Sequence, residues 1–212
     1  MRSRRVGAAV ASGSLLLVVL ATVEVRPAEP PPASQPGERV AITKHCGMCH
    51  ALPGETREKK PGPMFLSPAP PLAPSELLRR LWNHFPGMRQ HFMARGLAWP
   101  EIHAGEMSDL LAFLGVQPGL ERTPNLDRGR VLVLQKGCLK CHALAGEGGS
   151  AAPDLAQFRQ FRDVVPVATA LWNHAPAMLD RIEQSGVRFP VFQQGEMANL
   201  LGYLGATSDA SR

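Results

Sequence analysis

Cysteine is scarce in this 212-residue chain: there are four, all inside two pentapeptides, Cys46-Gly47-Met48-Cys49-His50 and Cys138-Leu139-Lys140-Cys141-His142. No thiol is left for a bridge elsewhere, a catalytic thiolate or a lipid attachment near the start of the chain. Surplus charge is scarce too. The formal balance is +5, but residues 1–26 hold four arginines and one glutamate, leaving 19 basic against 17 acidic side chains in the remainder. So small a surplus argues against nucleic acid as a partner. With 44% hydrophobic residues the composition is neither disordered nor fibrous, and the length allows one or two globular domains.

What is present is the C-x-x-C-H pattern, twice. On one turn of helix, positions i, i+3 and i+4 share an edge, so two sulfurs can reach the two vinyl groups of a haem while the imidazole lies under its iron. The pattern therefore points to covalent c-type haem attachment through Cys46, Cys49, Cys138 and Cys141, with His50 and His142 as iron ligands. Two alternatives stay open. C-x-x-C is also a zinc half-site, although its usual partner pair follows after ~12–20 residues and here it follows some ninety later. A pair of structural disulfides is the other, if the compartment is oxidising.

Residues 1–25 open with Arg2, Arg4 and Arg5 and then run uncharged over 6–23. This is an export segment, either a cleaved signal or an uncleaved membrane anchor with the arginines on the cytoplasmic side. No A-x-A pattern marks a cleavage site. Residues 26–36 are proline-rich and favour an extended spacer over packed structure.

From Gly37 onward the chain repeats. Gly37, Val40, Lys44 and the segment 46–52 recur as Gly129, Leu132, Lys136 and 138–144, an offset of 92. Leu81-Trp82-Asn83-His84 with Pro86 and Met88 recurs at an offset of 90 as Leu171-Trp172-Asn173-His174 with Pro176 and Met178, as do Gly105-Glu106-Met107 and Gly195-Glu196-Met197. Two similar units follow, over 37–117 and 128–207, joined by a linker over 118–127 and ending in a tail over 208–212. Each unit is expected to be mostly helical. Met107, Leu110, Leu111 and Leu114, like Met197, Leu200, Leu201 and Leu204, have i, i+3, i+4, i+7 spacing, with Gly115 and Gly205 placed to end those helices. Asp127 is a plausible N-cap. Pro86 and Pro176 predict a break or kink around residues 83–86 and 173–176, with Asn83 and Asn173 serving the interrupted turns. Units of this size bury little surface alone, so neither is expected to fold stably without its haem.

On these motifs the chain resembles the class I cytochromes c, specifically two-domain dihaem members, over about 37–207. The resemblance rests on the G-x-x-V/L…C-x-x-C-H-A-L start of each half and on the closing segments 109–114 and 199–204. It implies an all-α fold of two tandem domains, each wrapped around one covalent haem, so two haem c in all. It also implies that Gly37 faces Phe113 and Gly129 faces Tyr203 where the first and last helices cross. A proline carbonyl should hold the free nitrogen of each haem-binding histidine, from Pro153 in the second half and from either segment 62–64 or segment 69–72 in the first.

The sequence departs from the family at the sixth iron ligand. Where a Met-Pro step is usual it has Trp99-Pro100 and Phe189-Pro190, and neither aromatic binds iron. Among other thioethers and imidazoles, His45, His91, His103, Met48, Met64 and Met93 have no counterpart in the other half, and Met107 and Met197 open an apolar stripe. Met88 and Met178 are thus the preferred ligands, with His84 and His174 as the alternative pair. Trp82 and Trp172 suit packing on the core or the porphyrin edge.

The expected function is electron transfer, not enzymatic catalysis: a periplasmic dihaem cytochrome passing single electrons between a redox protein donor and acceptor, with possible membrane association through residues 6–23 and no nucleic acid. The alternative is a dihaem enzyme of peroxidase or thiosulfate-oxidising type with one open iron.

Overall fold

The structure is a computed structural model that describes residues 35–56, 58–66 and 69–211. Six α-helices dominate these residues, with short 3-10 turns and one two-residue hairpin, so the fold is all-α. The expected export or anchor segment and most of the proline-rich spacer lie outside the described residues. Among those described, no helix is long and apolar enough to cross a membrane.

The repeat is visible as two sets of three helices. The first set is α1 (Pro36–Thr43), α2 (Pro74–Ala94) and α3 (Ala104–Phe113); the second is α4 (Leu126–Gln135), α5 (Val164–Ser185) and α6 (Glu196–Ala210). Pro36, counted in the spacer from sequence, is the first residue of α1, where a missing N–H costs nothing. Asn125, not Asp127, caps α4: its side chain accepts from the Arg128 amide at 2.9 Å. Asp127 sits in the first turn instead, still favourable against the helix dipole.

In each half the first and last helices pack together, α1 on α3 and α4 on α6. Glycine makes the close crossing possible. A Cβ on Gly37 would lie 2.2 Å from the Asp109 carbonyl oxygen and 2.4 Å from Phe113 Cβ; one on Gly129 would lie 2.2 Å from the Asn199 oxygen and 2.5 Å from Tyr203 Cβ. Gly115, at φ 78°, ends α3 as expected. Gly205 does not end α6, which runs on to Ala210, into the segment assigned to a tail. Ser208 is buried there and donates to the carbonyls of Ala156 and Phe158, while Arg162 reaches Asp209, so tertiary bonds secure the extra turn.

Neither helix is broken at its proline: α2 continues past Pro86 and α5 past Pro176. A proline inside a helix forfeits one hydrogen bond and costs ~3 kcal/mol. Here buried side chains flank each proline, Trp82, Phe85 and Phe92 on α2 and Trp172, Ala175 and Leu179 on α5, and packing keeps both segments helical. The carbonyl that Pro176 leaves without its i+4 donor is that of Trp172. It accepts instead from the indole N–H of Trp99, in the other half, at 3.1 Å.

That bond belongs to a wider union of the halves. Trp82 donates to the Pro190 carbonyl at 2.6 Å and Trp172 to the Pro100 carbonyl at 2.7 Å. Asn83 brackets Phe192, donating to its carbonyl at 2.8 Å and accepting from its N–H at 2.9 Å; Asn173 does the same to Ile102 at 2.9 and 3.0 Å. The asparagines therefore serve the opposite half and not their own helical turns. Arg89 on α2 pairs with Asp180 on α5. The core is continuous across both halves, and residues from Ala33 onward form one compact unit, not two loosely tethered ones.

Two measurements on the purified protein test this architecture. Gly37→Ala or Gly129→Ala should destabilise the folded protein by ~1–3 kcal/mol through overpacking, whereas Gly87→Ala, at an exposed helical position with nothing within 4 Å, should stabilise it by ~0.5–1 kcal/mol. Arg79, followed by Arg80, holds the Glu76 carboxyl down to about 2. Because the folded value is depressed, this contribution is complete above the ordinary carboxylate pKa of ~4.3 and fades as pH falls toward about 2. Glu76→Gln should flatten that acid limb and cost ~0.5–1 kcal/mol at neutral pH, as expected for a pair at the surface.

Candidate functional site

Both pentapeptides are delivered the same way. After α1 and α4 the chain takes one residue in the left-handed region, His45 at φ 64° and Gly137 at φ 75°, and turns into 3-10 segments at Cys46–Met48 and Cys138–Lys140. The amides of His50 and His142 then bond back to the carbonyls of Cys46 and Cys138 at 2.9 and 3.0 Å. All four thiols are free. Burial pushes the Cys46 thiol up to about 11 and the Cys138 thiol in the same direction, so both are protonated side chains facing apolar surroundings.

The lysine two residues before each first cysteine anchors the motif. Lys44 binds the Glu106 carboxylate at 2.8 Å and the Glu101 carbonyl at 2.7 Å; Lys136 binds Glu196 at 2.8 Å and the Val191 carbonyl at 2.7 Å. Each glutamate also accepts from a backbone N–H at the start of the closing helix. The recurrence of Lys and of Gly-Glu-Met in the sequence is thus one device, tying the motif to α3 or α6.

Each motif histidine is fixed at one ring nitrogen. His50 Nδ1 donates to the Pro63 carbonyl and His142 Nδ1 to the Pro153 carbonyl, both at 2.8 Å. The carbonyl can only accept, so Nδ1 carries a proton, and in the neutral ring Nε2 keeps its lone pair for a metal. Burial lowers the His50 pKa, against the opposing pull of the Pro63 carbonyl, and favours that neutral form. Of the two first-half segments considered from sequence, 62–64 supplies the carbonyl. Segment 69–72 instead anchors the end of α3, through the mutual approach of Pro70 and Gly115 and the Leu72 amide on the Gly115 carbonyl. Gly62 is required where it is: a Cβ there would sit 2.5 Å from His50 Nδ1. Phe65 stacks on the His50 ring at 4.5 Å and meets Phe113 edge-on.

Among the sixth-ligand candidates, His84 stands across from His50, with ring centroids 6.2 Å apart. The His174 pKa is lowered by partial burial and then by the charge of His142, and both His84 and His174 keep substantial exposure. Met88 and Met178 pack against the core, and Met107 and Met197 are buried within it. His45, His91, His103, Met48, Met64 and Met93 are exposed. Trp99-Pro100 and Phe189-Pro190 contribute the carbonyls that receive Trp172 and Trp82. The sequence reasoning missed the positioning role of the Trp-Asn pairs; their recurrence directly before each histidine was the available signal.

Among the described residues, no three His, Cys, Asp or Glu side chains gather as a metal-holding group, so the two C-x-x-C pairs do not converge as halves of one zinc site. A covalent haem needs a different set: two thiols on the porphyrin, one oriented imidazole on the iron and apolar walls. Each half supplies that set. No family model, characterised protein or solved structure matches the chain, so the residues themselves carry the functional argument.

The contact between Gly62 and His50 is testable directly. Gly62→Ala should displace the ring from the Pro63 carbonyl, shift the His50 ring-nitrogen resonances and lower stability by ~1–3 kcal/mol. Gly105→Ala, with open space around it, should leave the His50 resonances unchanged.

Proposed function

We propose that this chain is an exported dihaem cytochrome c of class I organisation, a carrier of single electrons between redox proteins. The observation that supports it best is the pair of identical arrangements after each C-x-x-C-H motif: histidine Nδ1 on a proline carbonyl at 2.8 Å, with Nε2 left to bind iron. Cys46 and Cys49 would hold one porphyrin and Cys138 and Cys141 the other, with His50 and His142 as axial ligands. Bound haem would supply an iron couple that takes up and releases one electron, its potential set by axial ligands, hydrogen bonding and burial.

The chain's own residues do the rest. Pro63 and Pro153 orient the imidazoles. Lys44 with Glu106, and Lys136 with Glu196, hold each motif against the closing helix. Phe65 and Phe113 wall the first site with apolar surface that keeps water from His50. Export by the N-terminal segment matches haem attachment in the periplasm, and residues 6–23 would anchor the protein if uncleaved. Its donor and acceptor proteins are expected to bind briefly and over small surfaces.

Full-length chain made in a host competent for cytochrome c maturation should carry two porphyrins by mass and titrate reversibly in one-electron steps. Replacing Cys46 and Cys49, or Cys138 and Cys141, by serine should leave one. Bare polypeptide, or bound zinc, would overturn the proposal.

A further inference from the structure

We infer that the second axial ligands are His84 and His174, in place of the methionines preferred from sequence, and that each is held in position by the opposite half of the molecule. The inference rests on the dihaem proposal and assigns the side of the iron which that proposal leaves open.

Distance is the first ground. A first-row metal holds an imidazole nitrogen at ~2.0–2.1 Å, so two imidazoles on opposite sides of one metal have ring centroids roughly 6 Å apart. The His50 and His84 ring centroids are 6.2 Å apart, with the rings tilted by 51°. Met88, one helical turn further along α2, is half-buried and packs against the apolar core, as Met178 does on α5. Moving either thioether to the iron would take it out of that packing.

The second ground is what became of the segments that carry methionine in the family resembled. The carbonyls of Pro100 and Pro190 are taken by the indoles of Trp172 and Trp82. These loops are therefore committed to the union of the halves, and the ligand has to come from another element. The long helices provide it. Trp82 and Asn83 directly precede His84, and both bond to the second half; Trp172 and Asn173 directly precede His174, and both bond to the first. Backbone and side-chain bonds one and two residues away set the rotation of the helix, and with it the approach of the histidine. Asn83 and Asn173 are thus positioning residues, each acting on a histidine of its own helix through a loop of the other half.

The experiment is spectroscopic and uses the full-length holoprotein. The ferric form should be low-spin at both centres, without the far-red band of methionine bound to ferric haem, and Met88→Ala and Met178→Ala should leave that spectrum unchanged. His84→Ala or His174→Ala should convert one of the two centres to a high-spin form that binds carbon monoxide when reduced, and added imidazole should restore low spin. Asn83→Ala, with two porphyrins retained, should add a high-spin fraction at the first centre and shift its potential. A methionine band that disappears in Met88→Ala or Met178→Ala would overturn the ligand assignment while leaving the dihaem proposal standing. A low-spin, carbon monoxide-inert Asn83→Ala protein would overturn the cross-half positioning. A chain without porphyrin would overturn both proposals together.

Discussion

The structure depends on an exchange of hydrogen bonds between its halves, in which the side-chain amides of Asn83 and Asn173 each satisfy both backbone groups of one buried residue in the other half. Phe192 and Ile102 are almost fully enclosed, at 3% and 0% exposure. Their N–H and C=O groups lie in loops, outside any helix that would pair them. Left alone, such a group costs ~1–3 kcal/mol. An asparagine carboxamide offers one donor and one acceptor on the same side, and so can pair both at once. With the two indole N–H donors, six bonds cross between the halves in symmetric pairs. Each is worth ~0.5–1.5 kcal/mol net, and they direct a continuous apolar core that contributes more.

This exchange explains why proline is tolerated in the middle of both long helices. Pro86 and Pro176 each lie four residues beyond a tryptophan, so each removes the donor that would otherwise pair with that tryptophan's carbonyl. For Trp172 the replacement is visible, an indole N–H arriving from Trp99. A defect in one helix becomes an acceptor for the partner half, and what is lost within the helix is regained between the halves. The halves are nevertheless not identical. Phe189 occupies the position of Trp99, has no N–H to offer, and stacks on Trp82 at 5.2 Å and 15°. At this one position the Trp99 side adds an N–H bond that the Phe189 side lacks.

Much of this was legible in the sequence because it is local or repeats. The C-x-x-C-H turns, the closing apolar stripes and the meeting of Gly37 with Phe113 and Gly129 with Tyr203 follow from spacing, periodicity and the family resemblance. Other features were not legible. The helical breaks expected at the prolines, the ending of α6 at Gly205 and the capping role given to the asparagines all came from local rules. Each failed where a partner some 50 to 110 residues away decides the outcome: Ala156 and Phe158 for Ser208, Phe192 for Asn83, and Trp99 for the carbonyl facing Pro176. Local propensity is a weak prior that tertiary contacts override, and internal symmetry strengthens the override by making each contact occur twice.

On the proposed ligation, the repeat gives a reason why the ligand would come from another element of the same fold. Once the segments at Trp99-Pro100 and Phe189-Pro190 are engaged by the opposite half, their backbones can no longer adjust to present a ligand, whatever side chain they carry. The histidines on α2 and α5 face the opposite constraint. They follow the residues that make those same bonds, so any rearrangement of the union moves both histidines. A union that fixes two imidazoles by shared bonds cannot loosen at one without strain at the other. Both histidines thus follow residues bonded to the opposite half, and both lie in one compact unit. Two domains on a flexible tether could not hold either histidine this way.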